Sequence, residues 1–530
     1  MSSSDASDAI IVADPIDESK TRSFLNQVES VLINLADYLN PILVKEARQA
    51  LKSRSFTFTF TALLICAWGW SFLGTIAQMP RIYYAPSGLS LLAGYYVILA
   101  VPMLIIVPYS AFRSLSSERE DGTYELLSIT TLSSRQIVTG KLGSAILQMI
   151  VYYSVLAPCM TFTFLLRGVD MFTIFMFLFY TFLASILFSA IGLMMASLSA
   201  ARAWQMLMTV VLLFALVFGS FVWFVGFFEI LDEMDRAPYG ESGFWIGNAA
   251  LLSGYATFLA IVILVAAGQN SFAGDNRSTR VRIAIFIQAI LFAGWVSYGA
   301  VTIKEEIVAV VMSFFAFATL FVYGIFLTGE SGVMSPRVKR SLPKSFLGRM
   351  LFTWFNPGSG TGYIFSVCHA VGIFLFTLAL SELGPAWANG RAVPGYMYDT
   401  MFLSVGYFIF YLGLSRLVLI MVPHREQYGP ALPFLLHIMI PFLGVAIPFV
   451  IQGITQRMIG SQYSYLQVTN WMWTLVQSAD HGLPVDFVPG IVGSAAALVF
   501  VINLISATRE IEAVRLDTPD RVKEDNEASK

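Results

Sequence analysis

Long apolar runs separated by short polar stretches dominate the hydrophobic pattern of this chain. A helix that crosses a bilayer needs about 20 consecutive, mostly apolar residues. Twelve stretches qualify: 56–79, 89–112, 141–166, 171–199, 204–231, 247–268, 283–303, 307–328, 361–383, 399–421, 432–453 and 488–507. In lipid, only a helix satisfies its backbone hydrogen bonds within one segment. The pattern therefore predicts an all-α, polytopic integral membrane protein with about twelve transmembrane helices.

Composition excludes the soluble classes of protein. The 530 residues are 57% hydrophobic and 12% charged, whereas a soluble globular chain is about 45–50% apolar and about 25% charged. So few charged side chains cannot cover a water-soluble globule of this size. Cys66, Cys159 and Cys368 all fall inside apolar runs, which predicts small buried side chains and no disulfide or metal cluster. We expect neither a bound metal nor a nucleic-acid partner.

The distribution of lysine and arginine predicts the orientation of the spans. Cytoplasmic loops carry the excess of these residues, and twelve spans place both termini on one side. If both termini are cytoplasmic, the external basic residues are Arg81, Arg167, Arg236, Lys304, Arg391 and Arg457. Outside the two tails, 15 others then lie on the cytoplasmic side. The sequence thus predicts cytoplasmic termini and a multi-pass protein of the cytoplasmic (inner) membrane of a bacterium.

The order of the spans predicts the domain organisation. It comprises a cytoplasmic N-terminal tail with an amphipathic helix (1–39), an interfacial helix (40–55), a six-helix domain (56–268), a cytoplasmic linker (269–282), a second six-helix domain (283–507) and a C-terminal tail (508–530). In both domains the largest cytoplasmic segment falls between the second and third spans. This parallel predicts two degenerate six-helix halves, although their residues hardly match. The second such segment, 329–360, is basic and could be a docking element or a loop that binds lipid headgroups.

An amphipathic stretch, NPILVKEARQALKSRS, precedes the first span at residues 40–55. Asn40 can cap a helix, and Pro41 suits the first helical position. One side of this helix is basic and consists of Lys45, Arg48, Lys52 and Arg54. The pattern predicts a helix in the inner headgroup layer, where each basic residue contributes about 1 kcal/mol of binding free energy. A general juxtamembrane anchor would show the same pattern.

A polar stretch, SEREDGTYELLSITTLSSRQIVTGK, joins the second and third spans at residues 117–141. Two pairs fit the capping-box pattern: Ser117 with Glu120, and Ser133 with Gln136. Gly122 and Thr123 interrupt the chain between the pairs and can begin a short helix, TYELLSIT, with Leu126 and Leu127 available for contact. The stretch therefore predicts a compact structure that projects into the cytoplasm. A solvated connector is the alternative interpretation.

Together the two stretches resemble the permease subunits of ABC transporters of the type-2 exporter class. The first resembles the elbow helix of that family, at Asn40, Pro41, Lys45, Glu46 and Arg48. The second resembles the signature that carries the coupling helix, which docks on the ATPase. Its matching positions are Glu118, Arg119, Glu120, Gly122, Thr123, Glu125, Leu126, Leu127, Leu132, Ile137, Gly140 and Lys141. The resemblance covers about residues 40–268, and Thr131 departs from the proline that the family often has there.

The resemblance implies a permease subunit of an ATP-driven exporter whose coupling segment (113–140) meets an ABC ATPase subunit. The chain contains no GxxxxGK[ST] phosphate loop, so we expect ATP on the partner and no catalytic or cofactor-binding residue here. Two half-sites are needed, and they come either from a homodimer or from the chain's own second half. One alternative is a membrane scaffold or assembly protein that does not transport. Another is a secondary carrier that uses His369, the one ionisable candidate deep in a span.

Overall fold

A computed structural model describes most of the chain. The described residues are 40–124, 132–198, 202–232, 239–272, 274–303, 307–330, 352–383, 394–423, 431–456, 463–481 and 487–515, with isolated positions between 332 and 348 and position 483. The N-terminal tail, the C-terminal tail from residue 516, and residues 125–131 of the coupling segment lie outside this range.

The described residues form fourteen α-helices and contain no strand. They are α1 (Pro41–Leu51), α2 (Arg54–Ala77), α3 (Gly88–Glu120), α4 (Ser134–Leu165), α5 (Met171–Ser197), α6 (Arg202–Asp232), α7 (Ser242–Gln269), α8 (Thr279–Ile303), α9 (Ile307–Thr328), α10 (Ser359–Glu382), α11 (Gly395–Met421), α12 (Ala431–Gln456), α13 (Trp471–His481) and α14 (Val488–Arg515). Twelve of them, all except α1 and α13, are long and apolar enough to cross a membrane. The predicted all-α class and number of spans are confirmed.

The helices on either side of the coupling segment are longer than their apolar stretches. The third helix, α3, continues past residue 112 to Glu120, and α4 already begins at Ser134. Within α3, one π-helical turn at Pro102–Ile106 separates two α-helical parts. Proline lacks the amide hydrogen that a regular helix needs at this position, which accounts for the local change. Both helices therefore extend beyond the span and carry the coupling segment between their ends.

The two halves of the chain share one packing pattern. In the first half, α3 packs on α2, α4, α5 and α6, while α4 also packs on α2, α5 and α7, and α5 on α6 and α7. In the second half, α9 packs on α8, α10, α11 and α12, while α10 also packs on α8, α11 and α14, and α11 on α12 and α14. Each pair of the first half thus recurs six spans later. The degenerate repeat predicted from loop positions is a repeat of helix packing.

The halves meet where α7 packs on α8. The indole nitrogen of Trp295 donates to the Ser253 hydroxyl at 2.8 Å across this contact. Phe258 of α7 also stacks on Tyr323 of α9, with ring centroids 6.4 Å apart. The end of the bundle at which Asn40 lies also holds the ends of α3 and α7 and the beginnings of α4 and α8. We refer to this end as the predicted cytoplasmic face.

Candidate functional site

Helix α1 is docked on the N-terminal part of α4. The Asn40 side chain caps α1 by accepting from the Ile42 amide at 3.1 Å, and its Nδ2 donates to the Gln136 carbonyl at 2.5 Å. Two glycines of α4 allow the close approach: a Cβ atom on Gly140 would lie 2.9 Å from Cβ of Ile42, and one on Gly143 would lie 2.9 Å from Leu43. The predicted cap is confirmed. The apolar side of α1 is directed at the bundle, whereas Lys45 and Arg48 are exposed.

A buried ion cluster ties α1 to the ends of α3 and α4. The Lys141 side chain is 1% exposed, and its ammonium donates to Glu46 at 3.1 Å and to the Ser114 carbonyl at 3.2 Å. It also forms an ion pair with Glu118 at 3.0 Å. Lys45 pairs with Glu118 from the solvent side at 3.4 Å. A buried cation needs such partners to offset its loss of hydration. The sequence predicted Glu46 in the elbow helix and Glu118 among the docking residues. In the structure both carboxylates compensate the buried charge of Lys141.

The turn after α3 is exposed and held by local hydrogen bonds. Gly122 adopts a φ of +69°, a left-handed conformation that favours glycine. The Thr123 hydroxyl donates to the Glu118 carbonyl at 3.1 Å, and Glu120 pairs with Arg113 at 2.9 Å. These contacts fix the direction in which the chain leaves α3.

One of the two predicted capping boxes exists. Ser133 accepts from the Gln136 amide at 3.3 Å and its own amide donates to the Gln136 side chain at 2.9 Å, so the box at the start of α4 is confirmed. The box of Ser117 with Glu120 is wrong, because α3 continues through both residues. Leu132 is half-buried. Three further predicted docking residues lie outside the described residues: Glu125, Leu126 and Leu127.

Asn270, the residue after α7, collects three contacts from the coupling segment. Arg119 donates to its side-chain oxygen at 2.5 Å, while the hydroxyls of Tyr124 and Ser134 donate to its carbonyl at 2.8 and 2.9 Å. Arg119 also lies over the Tyr124 ring, 5.1 Å from the centroid. Burial raises the pKa of the Tyr124 hydroxyl, which therefore stays a hydrogen-bond donor. Sequence reasoning missed Asn270, since one polar residue at the end of an apolar run carries no pattern.

The second half carries a fully buried arginine at the predicted cytoplasmic face of α11. Arg416 donates to Ser359 at 3.1 Å, to the Asn503 side chain at 2.8 Å and to Glu510 at 2.9 Å. Glu510 also accepts from the first amides of α10, those of Ser359 at 3.1 Å and Gly360 at 3.0 Å. A carboxylate at a helix N-terminus interacts favourably with the free amides there. The network therefore joins α10, α11 and α14.

A second buried arginine, Arg282, holds the beginning of α8. It donates to Glu330 at 2.8 Å, to the Trp354 carbonyl at 2.6 Å and to the Ser278 hydroxyl at 2.7 Å. The sequence indicates Arg282 only as one basic residue of the linker, because its partners lie up to 76 residues away along the chain. The segment before α10 is thus held partly through its backbone carbonyls.

His369 lies within α10 and bonds to its own helix. Its Nδ1 is 2.8 Å from the Phe365 carbonyl, and the two rings are 4.1 Å apart. The Nε2 atom is buried and makes no hydrogen bond to any described residue. Within the described part of the chain, no group of three or more His, Cys, Asp and Glu residues could hold a metal ion.

Comparison with known proteins adds no relative. No family model, no curated protein and no solved structure matches the chain at a significant level.

Proposed function

We propose that this chain is the membrane-spanning permease subunit of an ATP-binding cassette exporter, driven by a separate ATPase subunit. The observation that carries the proposal is the geometry around the coupling segment. Two extended helices, α3 and α4, present an exposed turn, and the buried cluster around Lys141 braces their ends against α1. A solvated connector would need neither the burial of a lysine nor the docking of a third helix.

The helices on both sides of the coupling segment can carry a displacement through the membrane. The α4 helix is continuous over 32 residues, which corresponds to roughly 48 Å at 1.5 Å per residue. It is joined to α1 and α3 by the Lys141 cluster at one end and packs on α2, α5 and α7. An ATPase that moves the coupling segment would therefore tilt α3 and α4 together.

The chain lies in the cytoplasmic membrane of a bacterium with both termini inside, and ATP is bound by the partner. Its exposed basic residues on α1, Lys45 and Arg48, contact lipid headgroups. Two copies of the chain pair through their first halves, since the elbow-like helix and the coupling-segment motif occur only once per chain.

Co-purification with an ATPase tests the proposal. We would purify the full chain from its native membranes and measure the ATPase turnover of the complex in lipid nanodiscs. The variant Glu125→Lys with Leu127→Asp reverses one charge of the coupling segment and replaces one of its apolar side chains by a carboxylate. We expect it to abolish both association and turnover. Glu512→Lys is the matched control, because it makes the same glutamate-to-lysine change at an exposed position near the end of α14.

Three outcomes would contradict the proposal in different ways. Association that survives the double substitution would overturn the docking assignment. A stable complex whose ATP hydrolysis is not needed for substrate movement would favour a scaffold or assembly protein. Substrate movement that persists after ATP depletion and follows the pH gradient would favour a secondary carrier.

A further inference from the structure

We infer that Asn270 is a positioning residue that transmits displacements of the coupling segment from the first half of the chain to the second. The purpose of this transmission rests on the proposed function, whereas the contacts that carry it do not. Asn270 stands at the boundary between the halves, directly after α7 and near the beginning of the linker (269–282) that leads into α8.

Three residues of the coupling segment bond to Asn270. Arg119 donates to the Asn270 side-chain oxygen, and the hydroxyls of Tyr124 and Ser134 donate to the Asn270 carbonyl. These three donors lie in α3, in the turn after α3 and at the start of α4. Side chains from both sides of residues 125–131 therefore bond to Asn270. Asn270 is 6% exposed, and its Nδ2 donates to the Ala266 carbonyl at 2.9 Å. Asn270 is therefore held both by the coupling segment and by the last turn of α7.

The linker folds back against the end of α7. Arg277 donates to the carbonyls of Ser271 at 2.5 Å and Phe272 at 3.1 Å, the two residues that follow Asn270. Burial lowers the pKa of Arg277, while the nearby carboxylates of Asp275 and Glu330 raise it. Arginine stays charged under these opposing effects. The two hydrogen bonds of Arg277 therefore persist across the physiological pH range. Arg277 thus ties the two residues after Asn270 to the later part of the linker.

The linker is attached to the second half. The Gly274 carbonyl accepts from the Ser335 amide at 2.9 Å, and the Thr279 hydroxyl donates to the Phe355 carbonyl at 2.7 Å. One turn further on, Arg282 holds Glu330 and the Trp354 carbonyl. The linker therefore bonds to both ends of the segment between α9 and α10. That segment is the counterpart, by helix packing, of the coupling segment itself.

The repeat contains the corresponding contact in its second half. Ser134, the first residue of α4, bonds to Asn270 at the end of α7. Its counterpart Ser359, the first residue of α10, bonds to Glu510 near the end of α14. The contact between the third and sixth spans thus occurs in both halves. After Asn270 the chain continues through the linker into α8, so the contact of the first half lies at the junction of the two halves.

Hydrogen exchange of the full chain in lipid nanodiscs tests the inference without any ATPase. In Asn270→Ala, loss of a buried hydrogen bond to a charged group should speed amide exchange in residues 274–282 and 352–358 by about tenfold or more. Asn270→Asp keeps the acceptor for Arg119 and loses only the Nδ2 donor to the Ala266 carbonyl, so it should speed exchange less than Asn270→Ala does. Asn248→Ala, at the opposite end of α7, removes the same side chain where it bonds to Phe244 and should leave both stretches unchanged.

A double-mutant cycle separates transmission from a local structural role. Arg119→Met removes the donor to the Asn270 side chain and should speed exchange at 352–358 in the wild type but not in Asn270→Ala. If Asn270→Ala changes exchange only within the first half, or if the two substitutions act independently at 352–358, the inference is overturned. Should Asn270→Ala not fold, Ser134→Ala decides, because it removes the hydroxyl that donates to the Asn270 carbonyl; unchanged exchange at 352–358 would overturn the inference. Because no ATPase is present, failure here leaves the proposed function standing, and the reverse also holds.

Discussion

Lys141 of α4 places its ammonium group 3.1 Å from a carboxylate oxygen of Glu46 in α1, 95 positions earlier in the chain. Glu118 at the end of α3 completes the cluster. Three helices are thus joined at one buried cation, directly beside the exposed turn of the coupling segment. The cluster makes the elbow-like helix part of the support of this turn.

Loss of the Lys141 charge should destabilise this corner strongly. Lys141→Met leaves Glu46 and Glu118 facing each other without their shared cation. Removal of one partner from a buried ion pair costs about 3–5 kcal/mol of unfolding free energy. Thermal unfolding in detergent would measure the loss, and adding Glu46→Gln to Lys141→Met should recover part of it. An unchanged melting temperature for Lys141→Met would show that the cluster is not buried in solution.

A methyl group on Gly140 should separate α1 from α4. The new Cβ would lie 2.9 Å from Cβ of Ile42, so the helices must move apart. Overpacking of this kind costs about 1–3 kcal/mol, more than the gain in helix propensity of about 1 kcal/mol from glycine to alanine. Gly254→Ala is the control, because nothing lies within 4 Å of the added atom. Thermal unfolding should show a decrease for the first substitution and no decrease for the second.

The turn after α3 should tolerate asparagine at position 122 better than alanine. With a φ of +69°, Gly122→Ala pays about 1–2 kcal/mol for the left-handed conformation, which asparagine adopts more readily. Because this exposed turn can relieve the strain by changing its own conformation, we expect Gly122→Ala to weaken ATPase association while the melting temperature changes little. Gly122→Asn should keep most of the association. Equal association of all three proteins would contradict a role for the shape of this turn.

The buried arginine of the second half should behave as a structural cation. Arg416→Met leaves Glu510 without its charge partner and Asn503 without a donor, which predicts a loss of about 3–5 kcal/mol in unfolding free energy. In Arg416→Met with Glu510→Gln, the neutral amide can still accept from the Ser359 amide. This double variant should therefore be more stable than Arg416→Met alone. Thermal unfolding of the two proteins under identical conditions checks the order.

Much of the architecture follows from the apolar pattern. Twelve runs of sufficient length predicted twelve spans, and each of them is a helix in the structure. The ends were less accurate, because α3 and α4 extend beyond the bilayer-length stretches into polar sequence. The box of Ser117 with Glu120 failed for the same reason: a capping pattern also occurs inside a helix when tertiary contacts keep the helix going.

Helix α13, which lies between α12 and α14 in the chain, shows the same division. Its attachment depends on distant partners: Ser478 bonds to Thr400 at 2.7 Å, and the Trp471 indole donates to the Pro441 carbonyl at 3.3 Å. No local pattern predicts such pairs.

The sequence by itself determined which segments are apolar enough to span a membrane, where the polar coupling segment falls, and that Asn40 and Ser133 begin helices. These features depend on neighbours within a few residues. Only the tertiary structure decided that Lys141 turns inward, that Asn270 joins the two halves, and that Arg416 meets Glu510. The reason is physical: a charged side chain can be buried only where partners from other helices satisfy it, and helix packing brings together residues about a hundred positions apart.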